Sequence, residues 1–180
     1  QPNFFLVGAA KAGTTALHHF LRHHPEIYMS PIKEPNFFSQ LNMRRELFTR
    51  NYRNSVNFDL ERYFKKPYLR QIHIADIQTW DNYIQLFREV SNESVIGEAS
   101  NSYLFCPNAP REIAQRISDP KILVILRNPI ERAWSHYLMN RRLGYSVSHN
   151  FIEEFNRDSN QHPKGWGITH NYRDLGMYSS

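Results

Sequence analysis

A short glycine-containing turn between an apolar run and a helix-like segment constrains this chain more than any other feature. Residues 4–7 (FFLV) have the pattern of a buried parallel strand. Residues 8–15 (GAAKAGTT) follow directly, and apolar residues then recur at helical spacing over residues 14–24. The small residues allow consecutive amides to point at one anion, and a helix N-terminus adds free N–H groups. The sequence therefore predicts a phosphate-binding strand–turn–helix unit.

Strand-like and helix-like segments alternate along the rest of the chain. Apolar runs predict three more strands, at residues 27–29, 95–98 and 122–126. Helical spacing predicts helices at residues 79–91, 109–117 and 129–144. Ser148 is predicted to cap a further helix, and residues 39–70 are interpreted as an irregular, partly helical insertion. The alternation predicts one α/β domain over residues 1–180, with helices on a parallel sheet.

Two of these segments have the clearest apolar patterns. The run at residues 122–126 consists of five apolar residues and is the strongest strand signal in the chain, within a sheet expected to be covered on both sides. The helix after it should pack through one apolar face, made of Ile130, Ala133, Trp134, Tyr137 and Leu138.

The residues at two strand ends favour an anionic ligand. Ligands bind at the carboxyl ends of strands in such sheets. A nucleoside-triphosphate P-loop, G-x-x-x-x-G-K-[ST], would have lysine where this chain has Thr14, and an aspartate for Mg²⁺ at a second strand end. Here Lys11 lies inside the turn and Arg127 ends the strand. The pattern favours a ligand with two separate phosphate groups and no metal, with a P-loop kinase or NTPase as the alternative.

Composition adds weaker constraints. The formal net charge of +5 favours anionic partners, and the single cysteine, Cys106, excludes an internal disulfide and any multi-cysteine metal site. Arginines at 44, 45, 50 and 53 with lysines at 65 and 66 leave a nucleic-acid-binding module as a further alternative. No apolar run approaches the roughly 20 residues that span a bilayer.

Four motifs, in order, resemble those of the sulfotransferases that use 3′-phosphoadenosine 5′-phosphosulfate (PAPS), in the branch of the heparan-type Golgi enzymes and their bacterial relatives. Residues 11–17 (KAGTTAL) are similar to the 5′-phosphosulfate loop of that family. Arg127-Asn128-Pro129 with Ser135 eight residues after the arginine resembles the 3′-phosphate motif. Residues 33–38 (KEPNFF) and 97–100 (GEAS) resemble two further family motifs, and residues 176–178 (GMY) a later G-x-Y element.

The resemblance implies a sulfotransferase fold and in-line transfer of a sulfuryl group from PAPS to an acceptor hydroxyl, with adenosine 3′,5′-bisphosphate as the product. Lys11 would stabilise the charge that develops on the bridging oxygen. Glu34 would be the general base, with a histidine as the alternative. The implied cofactor-binding residues are Lys11, Ala12, Gly13, Thr14, Thr15, Arg127 and Ser135. Glu98 would orient the base or contact substrate, with a buried structural carboxylate as the alternative; His73 is a further candidate substrate contact, and no metal is expected.

The resemblance also sets expectations about the whole protein. The family domain normally continues beyond Tyr178 with a basic loop that closes over the nucleotide, so the C-terminal part of the domain is expected to be absent from these 180 residues. The acceptor is a sugar, a metabolite or a carrier-bound chain, and no nucleic-acid partner is expected. A cytoplasmic, bacterial-type location is favoured, or the Golgi lumen if a membrane anchor was removed.

Overall fold

Four short parallel strands form the centre of the fold. They are β1 (Phe4–Leu6), β2 (Ile27–Met29), β3 (Val95–Ala99) and β4 (Lys121–Leu123), and their order in the sheet is β2-β3-β1-β4. All three pairings are parallel. The computed structural model describes residues 1–146, 148–160 and 171–178 of the chain. The predicted α/β fold with a parallel sheet is confirmed.

Seven α-helices occur in the described part of the chain. They are α1 (Thr14–Arg22), α2 (Arg50–Val56), α3 (Leu60–Phe64), α4 (Trp80–Gln85), α5 (Ala109–Arg116), α6 (Pro129–Arg142) and α7 (Phe151–Asn160). Short 3₁₀ helices lie at Phe37–Asn42, Arg45–Leu47, Asn101–Leu104 and Asp174–Gly176. The predicted insertion is thus partly helical, as expected, and α4 is shorter than predicted because residues 86–89 leave the helix as turns. None of the described helices combines the length and apolarity needed to cross a membrane.

The cap of α7 differs from the prediction. Asn150, not Ser148, caps the helix, because its Oδ1 accepts hydrogen bonds from the backbone N–H groups of Ile152 and Glu153 at 2.9 and 3.3 Å. The Ser148 hydroxyl instead accepts from the Asn150 N–H at 3.0 Å. Both residue types are good caps, and sequence alone does not decide between two candidates two positions apart.

An aromatic cluster fills the core between the sheet and the insertion. The Phe37 and Tyr83 rings stack at 4.7 Å, and Phe38 meets Tyr83 and Tyr103 edge to face at 5.3 and 5.7 Å. All four residues are buried. Such pairs contribute about 0.5–1.5 kcal/mol beyond their burial. The cluster anchors the start of the 3₁₀ helix that follows Glu34, and so supports one wall of the site described below.

The sheet is not covered on both sides at its fourth strand, which differs from the prediction. Ile122, Val124 and Leu126 are 50%, 40% and 53% exposed, because β4 lies at the edge of the sheet and pairs only with β1 among the described strands. The segment that follows β4 lies beside the glycine turn, because the Ile125 N–H donates to the Gly8 carbonyl at 2.8 Å. This pairing brings Arg127 close to the turn.

The expected apolar face of α6 is also partly wrong. Ala133 and Tyr137 are buried, but Ile130, Trp134 and Leu138 are 75%, 47% and 47% exposed. The buried face is instead largely polar, and its other members are Arg132, His136 and Asn140.

The segment at residues 171–178 explains that polar face. The guanidinium of Arg132 donates to the Tyr172 carbonyl, and the Asn140 side-chain amide donates to the Tyr172 hydroxyl at 2.8 Å. The His136 and Tyr172 rings lie 4.7 Å apart. α6 is therefore oriented by hydrogen bonds to a segment 30 to 40 residues along the chain, which apolar periodicity cannot reveal.

Gly97 in β3 offers a test of the packing under the sheet. A Cβ at this position would lie 2.6 Å from Phe4 Cδ1 and 2.8 Å from Met29 Sδ. We expect Gly97→Ala to lower the free energy of unfolding by about 1–3 kcal/mol, because a core this tight must shift to accept a methyl group. Urea denaturation measures the change, and Gln71→Ala, at an exposed position, is the control. Equal midpoints for Gly97→Ala and the wild type would contradict the packing described here.

Candidate active site

One cavity collects a residue from the chain that follows each of the four strands. Lys11 follows β1, Glu34 follows β2, Asn101 follows β3 and Arg127 follows β4. The cavity has a volume of about 830 Å³, which is within the range of small-molecule sites. The part of its lining used below consists of Gly13, Thr14, Thr15, Lys33, His73, Ser135 and Arg142.

The glycine turn has the geometry of an anion site. Lys11 and Gly13 have positive φ angles of 68° and 106°, and a Cβ on Gly13 would meet no atom within 4 Å. No side chain in the described part of the chain caps α1, whose first backbone bond runs from the Leu17 N–H to the Gly13 carbonyl at 3.1 Å. The helix therefore presents the N–H groups of its first turn at the cavity, together with the positive end of its dipole.

Ala12 differs from its neighbours in the turn. Its N–H donates to the Ala9 carbonyl at 3.1 Å, and the residue does not line the cavity, whereas Lys11, Gly13, Thr14 and Thr15 do. An amide already bonded within the turn is not available to a phosphate. The structure therefore gives no contact through which Ala12 would serve the predicted cofactor-binding role.

Arg127, in the chain after β4, contacts the glycine turn at Lys11. The Arg127 guanidinium donates to the Lys11 carbonyl at 3.4 Å and forms an ion pair with Glu131 at 3.2 Å. Ser135 and Arg142 lie farther along α6 and line the same cavity. Burial lowers the pKa of Lys11, and the nearby charges of Arg142, Lys33 and Arg127 lower it further. Such a concentration of positive charge is typical of a site for a polyanion.

Glu34 is held in one orientation. It is 7% exposed and has a left-handed backbone, with φ of 62°. Its Oε2 accepts from the Asn101 N–H at 2.7 Å, and its Oε1 accepts from the Asn101 side-chain amide at 2.6 Å. The Lys33 ammonium lies 2.5 Å from the same Oε1. A carboxylate fixed by both the backbone and the side chain of one residue is well oriented to accept a proton from a ligand in the cavity.

His73 lies at the rim of the cavity. Partial desolvation lowers its pKa, and the positive charge of Lys33 adds to the effect. Its predicted contact with substrate remains a prediction that this position allows.

Glu98 does not line the cavity. It is fully buried, and its carboxylate accepts hydrogen bonds from the hydroxyls of Tyr83, Tyr103 and Ser100 at 2.9, 2.6 and 2.7 Å. The Ser100 hydroxyl in turn accepts from the Asn36 N–H at 3.1 Å. The geometry gives Glu98 no route to the predicted substrate contact and instead makes it part of the support for the chain just after Glu34.

Glu98 should make stability depend on pH. Burial raises its pKa to about 7, against an ordinary value of 4.5. The folded protein thus holds this proton more tightly than the unfolded chain, so the stabilisation is complete below pH 4.5 and is lost as the pH rises through 7.

The free energy of unfolding of the wild type should therefore fall relative to that of Glu98→Gln as the pH rises. We expect the difference between the two proteins to change by about 2 to 3 kcal/mol from pH 5 to pH 8, in favour of Glu98→Gln. Urea denaturation at both pH values measures the difference, and Glu61→Gln, on an exposed ion pair, is the control. Parallel stability profiles for Glu98→Gln and the wild type would contradict a buried, titrating carboxyl.

Among the cavity residues that the sequence-based candidates did not include, three contact the Glu34 carboxylate or add positive charge. Asn101 binds Glu34, Lys33 pairs with it, and Arg142 adds a cation on α6. Lys33 stands beside Glu34 in the sequence and could have been considered for that reason. Asn101 is 67 residues from Glu34 and Arg142 is 15 residues beyond Arg127, so no local pattern connects them.

In the described residues, no group of three or more His, Cys, Asp or Glu side chains is arranged to hold a metal ion.

The parallel sheet, the glycine turn followed by a helix, and the cationic residue after β4 define an α/β protein with a P-loop-like turn. The model of the sulfotransferase family matches residues 2–174. The chain belongs to that family.

Individual relatives agree with this assignment. A solved sulfotransferase from Alicyclobacillus acidocaldarius is 32% identical and superposes with a TM-score of 0.80, over 99% of this chain and 65% of that one. Carbohydrate sulfotransferase 15 of Rattus norvegicus is 31% identical over 76% of this chain and 27% of its own length. The human bifunctional heparan sulfate N-deacetylase/N-sulfotransferase 2 is 30% identical over 83% of this chain and 14% of its own length. The chain therefore spans about a quarter or less of these two curated relatives.

Proposed function

We propose that this protein transfers a sulfuryl group from PAPS to an acceptor hydroxyl. The observation that carries the proposal is the joining of Lys11, Glu34 and Arg127 in one cavity, although they follow three different strands. The turn at Lys11 would bind the 5′-phosphosulfate through N–H groups and the helix dipole. Arg127 and Ser135 would bind the 3′-phosphate, where a guanidinium can make two charge-assisted bonds.

The arrangement divides the chemistry among these residues. The acceptor oxygen attacks sulfur, and the bond from sulfur to the bridging oxygen breaks, which leaves a growing negative charge on the 5′-phosphate. Lys11 opposes that charge most strongly in the transition state. Glu34, held by Asn101, accepts the proton of the attacking hydroxyl.

The acceptor is proposed only as a class. The printed names of two relatives refer to carbohydrate and to heparan sulfate, which favours a sugar hydroxyl over a metabolite or a carrier-bound chain. The cytoplasm remains our prediction for the compartment; one further relative, from Dictyostelium discoideum, is named a membrane-associated sulfotransferase.

Calorimetry with adenosine 3′,5′-bisphosphate tests the donor assignment. We expect the wild type to bind it with the same affinity in EDTA and in Mg²⁺, and at least about 30-fold more tightly than adenosine 5′-phosphate, because the 3′-phosphate gains charge-assisted bonds. Arg127→Ala should remove most of that preference, whereas Arg111→Ala, on the exposed face of α5, should retain it. Magnesium-dependent binding of ATP, with no preference for the 3′-phosphate, would favour the P-loop kinase or NTPase instead.

A further inference from the structure

Lys33 is a buried lysine that none of the proposed steps uses. It is 5% exposed and lines the same cavity as Lys11 and Glu34. Its ammonium lies 2.5 Å from Glu34 Oε1. Lysine is rarely buried without a reason that concerns its charge, because removing an ammonium from water is costly even when it is paired.

The ion pair with Glu34 does not account for this lysine by itself. Glu34 already accepts two hydrogen bonds from Asn101, which fix both of its carboxylate oxygens. In addition, Lys33 shares the cavity with a second cation, because Lys11 lines it too, and the charge of Lys33 contributes to the lowered pKa of Lys11. Two like charges held close together in a cavity repel one another until an anion enters between them.

We propose, on the basis of the function proposed above, that Lys33 is a catalytic residue that binds the sulfuryl group itself. Without donor, its ammonium is held by Glu34 Oε1. When PAPS binds, the ammonium moves to a sulfonate oxygen. Glu34 Oε1 then keeps only its hydrogen bond from the Asn101 side-chain amide, and its vacated lone pair can accept the proton of the acceptor hydroxyl. Lys33 thus acts at the sulfonate end of the donor, while Lys11 acts at the phosphate from which it departs.

The step balances with the groups already named. The new bond joins the acceptor oxygen to sulfur, and the bond from sulfur to the bridging oxygen breaks with its electron pair left on the 5′-phosphate. The hydroxyl proton passes to Glu34 and from there to solvent. The products are a sulfate ester and adenosine 3′,5′-bisphosphate, and Lys33 returns to Glu34.

The first test compares two ligands that differ only in the sulfonate. We expect Lys33→Met to bind adenosine 3′,5′-bisphosphate within about twofold of the wild type, but to lose about tenfold in affinity for PAPS without acceptor, because one charge-assisted bond is lost. Lys65→Met is the matched control, since Lys65 makes an equally short 2.5 Å pair, with Glu61, on the exposed surface. An unchanged ratio of the two affinities in Lys33→Met would overturn the proposal.

A double-mutant cycle separates direct action from action through Glu34. The variants are Lys33→Met, Glu34→Gln and the two combined, the last of which leaves no buried charge of this pair unpaired. If Lys33 binds the sulfuryl group, Lys33→Met should lower the residual turnover about tenfold or more even in the Glu34→Gln background. If its effect disappears there, Lys33 acts only on Glu34 and the inference is wrong. Failure of the wild type to bind adenosine 3′,5′-bisphosphate would instead count against the proposed function itself.

Discussion

Replacement of Lys11 by methionine is expected to lower kcat about 10³-fold. Methionine keeps much of the side-chain length but removes the charge from the turn between β1 and α1. The loss should be larger in kcat than in the affinity for adenosine 3′,5′-bisphosphate, because the interaction strengthens as charge moves onto the leaving oxygen. Release of that product, followed under saturating PAPS and acceptor, measures the effect.

The matched control for this variant is Lys121→Met. Lys121 begins β4 and pairs with Asp119 on an exposed surface, whereas the cavity lies where the strands end. This variant should retain wild-type turnover. Equal rates for Lys11→Met and Lys121→Met would remove Lys11 from the reaction.

Glu34→Gln should have the second large effect, a fall in kcat of about 10²- to 10⁴-fold. The amide retains the shape of the side chain and can still accept a hydrogen bond from the Asn101 N–H, but it cannot take up the acceptor proton. Affinity for adenosine 3′,5′-bisphosphate should stay within about twofold, because the proposed nucleotide contacts belong to other residues. The measurement combines steady-state turnover with calorimetry on the same preparation.

Glu61→Gln provides the comparison for Glu34→Gln, since Glu61 also pairs with a lysine at 2.5 Å but is exposed on α3. The Glu61→Gln variant should keep wild-type turnover. Should Glu34→Gln keep wild-type turnover, the base would have to be sought elsewhere, and His73 at the cavity rim would be the first residue to replace.

The parts of the fold that follow from short-range pattern were predictable. The apolar run before Gly8 and the helical spacing after Thr14 specify β1, the turn and α1 locally. Because the predicted strands are parallel, the segments that follow their carboxyl ends are expected at one edge of the sheet. This is why the sequence alone predicts that Lys11 and Arg127 lie close together.

The parts that depend on distant contacts were not predictable. Arg132, His136 and Asn140 are buried because they bond or pack against Tyr172, and a helix pattern scored by hydrophobicity assigns them to the surface. For the same reason, Ile122 and Leu126 resemble core residues in sequence although the edge position of β4 exposes them. Burial here is set by tertiary partners rather than by residue type.

The site shows the same division. Motif resemblance drew attention to Glu34, which lines the cavity, but not to Asn101, which orients it. For Glu98 it left a substrate contact and a structural role open, and the carboxylate accepts hydrogen bonds from two tyrosine hydroxyls in the core. A sequence motif identifies a position without showing which way its side chain points.

A crystal structure of the protein with adenosine 3′,5′-bisphosphate tests the central assignment most directly. The 5′-phosphate should lie on the N–H groups at the start of α1, beside Lys11, and the 3′-phosphate within hydrogen-bond distance of Arg127 and Ser135. A nucleotide bound outside this cavity, or one whose 3′-phosphate points to solvent with Arg127 still paired to Glu131, would contradict the account.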